Sequence, residues 1–189
     1  MNKNEEIIKQ TTDWLNSVVI GLNLCPFAAK PFKNKNIRLA LSHATDDEGI
    51  IKDLEAEIER LNIYNTKNNS DYIETTVLII PNSLSDFFEY NQFLDRAENL
   101  IKQQNLTGIY QIASFHPNYQ FGGTLPEDAE NLTNRSPYPI LHIIREESIE
   151  MVLSKFPNAD KIPTNNINTV ENLTAQQRSV LFPFLKENY

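Results

Sequence analysis

The chain is poor in the features that mark secreted or membrane proteins. A single cysteine in 189 residues excludes an internal disulfide framework and points to a reducing compartment. No run reaches the ~18 apolar residues of a membrane span, and the opening MNKNEEIIKQTTDW lacks a basic-then-apolar leader layout. Glycine is scarce, five in all. No Gly-x-Gly-x-x-Gly follows a strand pattern and no Gly-x-x-x-x-Gly-Lys-Ser/Thr occurs, so the known nucleotide cradles are not supported. Basic residues are outnumbered 17 to 25, a net charge of -8, which argues against nucleic acid as a partner. A soluble, cytoplasmic protein without a membrane partner is expected.

Hydrophobic residues make up 40%, enough for a sizeable core in one domain spanning 1–189. Asparagine is heavily used, 23 residues. The Asn-x-Ser/Thr sequons at Asn68, Asn105, Asn131, Asn134 and Asn172 follow from that composition and need no glycosylation.

Ile7, Ile8, Trp14, Leu15, Val18, Val19 and Leu22 form one stripe of a helix over 3–23, stopped by Pro26. Residues 37–41 alternate as a strand. Asp46 and Asp47 then cap a helix with Ile50, Ile51, Leu54, Ile58 and Leu61 on one face. A polar loop, 65–71, leads to 75–80, a nearly continuous run suited to a strand buried on both faces. Leu84, Phe87, Phe88, Leu94, Ala97 and Ile101 predict the inner face of a third helix, and 109–115 a third strand. No periodicity is visible from 117 to 139. A fourth strand, 140–145, precedes a helix with Ile149, Val152, Leu153 and Phe156 inward. Residues 157–173 read as irregular, and a last helix runs from about Thr174 to near Pro183. This pattern predicts an α/β fold, a small mixed four-stranded sheet with a parallel βαβαβ core and packed helices. A two-layer α+β ferredoxin-like sandwich is the alternative, and strand order is left open.

The stretch 116–139 holds four of the ten prolines, Gly122-Gly123, Tyr119, Phe121 and Tyr138. A structureless loop of this length, stiffened by proline and aromatics, marks a packed Ω-loop or a binding loop. His116 sits at the carboxyl end of the third strand and His43 just past that of the first, where open α/β sheets bind ligands. His142 lies mid-strand and reads as a core histidine. Arg135 is one of only six arginines and stands between Asn134 and Ser136 before a proline-locked turn. Its planar fork suits a carboxylate or phosphate, or else an internal salt bridge to Glu127, Asp128 or Glu130. Cys25 follows a helix C-terminus, which disfavours a thiolate unless a histidine pairs with it. Cys25, His116, His142 and Asp128 have metal-compatible chemistry but no short ligand spacing, so no metal is assigned.

Three stretches, Gly21-Leu22-Asn23-Leu24-Cys25-Pro26-Phe27-Ala28, Ala113-Ser114-Phe115-His116-Pro117-Asn118-Tyr119-Gln120-Phe121 and Asn134-Arg135-Ser136-Pro137-Tyr138-Pro139-Ile140-Leu141-His142 continuing to Arg145-Glu146, resemble the uncharacterised bacterial domain-of-unknown-function family 1415. By that resemblance Cys25, His116, Asn134, Arg135, Tyr138 and His142 belong to its signature, whereas His43 and Gly123 do not. The family implies no reaction, cofactor or catalytic residue. From the residues themselves, the leading expectation is an enzyme acting on a small anionic metabolite. Cys25 and His116 would be catalytic, and Tyr119, Asn134, Arg135, Ser136, Tyr138 and His142 would bind the ligand. A non-catalytic small-ligand binding protein and a protein–protein adaptor are the alternatives. The cofactor and oligomeric state are left open.

Overall fold

The computed structural model describes residues 2–66, 71–154 and 158–185. The first helix begins as a regular α-helix, α1 (Lys3–Trp14), whose capping box joins Asn2 and Glu5. It then widens into a π-helix, Leu15–Ile20, instead of continuing as α to residue 23. Gly21 closes it with a bond to Asn16 O, and a Cβ there would lie 2.3 Å from Ser17 O. The widened backbone therefore tolerates only glycine without shifting. Asn23 turns the chain at φ 55°, a conformation that asparagine adopts more readily than most residues. A short α2 (Ala29–Lys33) follows; Pro31 fits because the first turn of a helix has no internal use for its N–H.

Four strands form one sheet: β1 (Ile37–Leu41), β2 (Thr75–Ile79), β3 (Tyr110–Phe115) and β4 (Ile140–Arg145). Their order is β1-β2-β4-β3, with β1 parallel to β2 and β4 antiparallel to both β2 and β3. The three strands of the βαβαβ pattern thus share one direction, and β4 is inserted between the second and third. Two clasps seat it. Tyr90 Oη donates to Ile140 O at 2.7 Å and accepts from Phe115 N, joining the start of β4 to the end of β3. At the other end Arg145 donates to Tyr110 Oη, Ile73 O and Leu61 O.

The long crossovers α3 (Asp47–Ile63) and α4 (Phe87–Gln103), capped by Asp46 and Asp86, cover one face together. This follows from two connections of the same hand that step in the same direction across the sheet. Ile50, Leu54, Ile58 and Leu61 pack there with Phe93, Ala97, Leu78 and Leu141. The opposite face is closed by α1, the π-helix, α6 (Ile162–Glu171) and α7 (Ala175–Leu181), which gather Trp14, Val18, Val77, Ile79, Ile140, Val170 and Phe182 into a second cluster. Helices on both faces make three layers, not the two of a ferredoxin-like sandwich. α5 (Glu146–Leu153) has no buried residue.

Further sequence expectations need correction, among them the inward placement of Leu153, which is 38% exposed. Residues 162–171, read as irregular, are helical: Pro163 occupies the first turn and Val170 is fully buried, whereas the many asparagines mask the pattern. Residues 129–134 of the supposedly unpatterned loop form a 3-10 helix. Phe88 is 69% exposed, because α4 starts only at Phe87 and its inward rows run through Tyr90, Phe93 and Ala97. Leu84 precedes that helix at φ 55°. The inward placement of Phe156 lies outside the described residues, as does Asn68. No helix among the described residues is long and apolar enough to cross a membrane.

Candidate functional site

The 116–139 segment is ordered by side chains that bond its own backbone. Arg135, 5% exposed, donates through Nε to Tyr119 O at 3.3 Å and through Nη2 to Pro126 O at 2.5 Å. Asn131, fully buried, accepts from Phe121 N and Thr124 Oγ1 and donates to Leu125 O. Asn134 donates to Ser114 O, and the Ser136 hydroxyl to Tyr138 O. A buried backbone group without a partner is costly, so these side chains replace the ladder that a loop lacks. The guanidinium bonds loop carbonyls, and Asp128 caps Leu125 N instead.

His116 is fully buried at the end of β3. Its Nδ1 accepts from Asn118 N at 2.9 Å, which places the proton on Nε2, and Nε2 donates to Leu84 O at 3.0 Å. Phe87 and Tyr90 flank the ring. Burial pulls its pKa below the ordinary value against the opposing pull of the Leu84 carbonyl. The imidazole thus clamps the strained Leu84 turn to the root of the long loop.

Cys25 packs against the opposite cluster, as Leu22, Ala28 and Tyr138 also do. Burial pushes its thiol pKa up, outweighing bonds to the Phe27 and Ala28 backbone. His142 also points to that face, 6.3 Å from the Phe115 ring. The Thr75 hydroxyl donates to Ile143 O and so accepts from His142 Nε2 at 2.7 Å; burial lowers this histidine to about 4. His43 is exposed. The structure therefore joins His116, Tyr119, Asn134, Arg135 and Ser136 in one web, while Cys25, Tyr138 and His142 pack on the other side of the sheet. Among the described residues no group of three or more His, Cys, Asp or Glu could hold a metal ion, so Cys25, His116, His142 and Asp128 do not converge.

The web ends at a cleft. Trp14 Nε1 donates to Arg135 O at 2.9 Å, and Tyr138 Oη donates to Gln10 Oε1 at 2.5 Å. These bonds tie α1 to the proline-flanked turn 137–139, and between them opens a space of about 320 Å³. Trp14, Pro137, Leu181, Pro183 and Phe184 form its apolar wall; Gln10, Asp13 and Ser17 form its polar one. Burial, then the charge of Glu6, raises the Tyr138 pKa. None of the polar lining residues was singled out from the sequence. Their spacing at 10, 13 and 17, one helical turn apart beside the only tryptophan, is the signal that could have found them. A second depression, about 260 Å³, lies outside α3 and α4 along Ile51, Arg96 and Gln103.

An open mixed sheet flanked by helices, with a loop-built cleft at one side, places the chain among α/β proteins. It belongs to the family described as Protein of unknown function (DUF1415), whose model matches residues 6–179. No curated protein and no solved structure is similar to it.

Proposed function

We propose that this protein is a small-ligand binding protein of the cytoplasm, and that its ligand occupies the cleft between α1, the 137–139 turn and α7. One observation carries this reading: the signature loop spends Arg135, Asn134 and Ser136 on its own backbone and thereby holds Pro137 and Tyr138 rigidly against Trp14 and Gln10. Preformed clefts of a few hundred Å³ with an apolar wall and a few polar groups are the usual form of a small-molecule site. The catalytic alternative, with Cys25 as nucleophile and His116 as base, has less support. Both histidine nitrogens are occupied by backbone partners, and the thiol is held neutral by burial.

Val180 lines the cleft at 71% exposure, so Val180→Tyr narrows it without touching the core. A fragment panel followed by the fluorescence of Trp14 should give saturable binding to the native protein. Binding should be lost in Val180→Tyr, with the melting temperature nearly unchanged. Fragments that bind both proteins equally would contradict the assignment.

A further inference from the structure

We propose, resting on the cleft as the binding site, that its ligand is a small organic cation: a primary amine on a compact apolar body. Most donors that the described residues bring to the cleft are already committed within the protein. Trp14 Nε1–H goes to Arg135 O, the Tyr138 hydroxyl to Gln10, the Ser17 hydroxyl to Asp13 O, and one of the two Gln10 amide N–H groups reaches Glu6 at 3.3 Å. Acceptors remain. The Asp13 carboxylate is exposed to solvent, and its present partner is Lys9, itself 60% exposed. Such a surface pair is weak and readily exchanged for a ligand cation.

Charge points the same way. Asp13 is the one charged side chain among the described residues lining the cleft, Glu6 lies close enough to Tyr138 to act on its hydroxyl, and the whole chain carries -8. A carboxylate or phosphate in this space would meet like charge and spent donors. An ammonium would meet Asp13 and the Ser17 oxygen, with its carbon body against Pro137, Leu181 and Phe184. This replaces the anionic ligand expected from Arg135, whose fork is turned to loop carbonyls.

Three probes of similar size separate the possibilities: phenethylamine, 2-phenylethanol and phenylacetate, titrated by calorimetry against the full chain. Phenethylamine should bind at least about fivefold tighter than the alcohol, and phenylacetate weakest, with the preference shrinking as salt is added. Asp13→Asn should remove the amine's advantage and leave the alcohol unaffected. Equal binding of amine and alcohol, or a preference for the carboxylate, would overturn the cation and leave the cleft standing. No binding of any probe up to about 10 mM, the weak limit for fragments of this size, would overturn the cleft itself.

Discussion

The two faces of the sheet are closed in different ways. One is covered by α3 and α4, two regular 17-residue helices with carboxylate caps, whose inner side chains are almost completely buried. The other is assembled from a π-helix, short helices and the turn after the long loop, and many of its apolar residues are only partly buried. The regular face invests its residues in packing. The irregular face leaves room at its margin, and the cleft and most of the signature residues' polar bonds are found there or at its border. Irregular closure leaves the wider space, about 320 Å³ against about 260 Å³ outside α3 and α4, because regular helices pack ridge into groove and leave less room.

Leu54→Ala on the regular face should have the largest effect, a loss of about 3 kcal/mol. Leu54 is fully buried at the centre of its cluster. Denaturant unfolding should show the loss while the cleft keeps its ligand affinity; a coupled loss of both would erase the distinction between the faces.

Acid should attack the irregular face to a similar extent. His142 is lowered to about 4 by burial, whereas in the unfolded chain it titrates near its ordinary value of about 6.5. Above that value both states are neutral and nothing is lost. As pH falls, the unfolded state takes up the proton first, so stability drops by on the order of 3 kcal/mol by pH 4. His116, also pulled down by burial, adds in the same direction. His142→Gln should flatten the pH dependence of the melting temperature between about pH 6.5 and 4.

Arg135→Ala should come next, at about 2 kcal/mol, because it empties the space of a side chain only 5% exposed and removes its bonds to the Tyr119 and Pro126 carbonyls. Limited proteolysis within 117–139 should accelerate, and Arg135→Lys should recover little, since an ammonium cannot span both carbonyls. An unchanged melt together with loss of anion binding would return Arg135 to the role expected from its sequence context.

The smallest effect concerns Cys25. Its thiol, raised by burial, should react with iodoacetamide more slowly than a free thiol at pH 7, and Cys25→Ser should leave ligand binding unchanged. Fast alkylation with an apparent pKa below the ordinary thiol value would favour a nucleophile.

The regular face was legible because its signals are local. Asp46 before a 3.6-residue stripe fixes α3, and the β-branched run from Thr75 fixes β2. The place of β4 was not legible, since it depends on clasps to distant residues, Tyr90 on Ile140 at one end and Tyr110 and Ile73 on Arg145 at the other. The π-helix was hidden because its stripe looks α-helical and only Gly21 betrays the widening. At the site, the sequence located the residues of the web but not their roles. His116 and Arg135 can each serve chemistry or architecture, and which one holds depends on whether their donors and acceptors are already bonded. The cleft's polar wall lay on the outward side of α1 and the π-helix, where the core stripe draws attention away from it.

The most direct measurement is an amide correlation spectrum during titration with phenethylamine. Trp14 supplies the single indole N–H signal, and that group is bonded to Arg135 O at the root of the cleft. The indole signal and the amides of residues 10–17, 138, 180–182 and 184 should shift together and saturate. Shifts confined to residues 82–86, 116, 118 and 119, with the indole unmoved, would place the site at the carboxyl edge of the sheet and contradict the account.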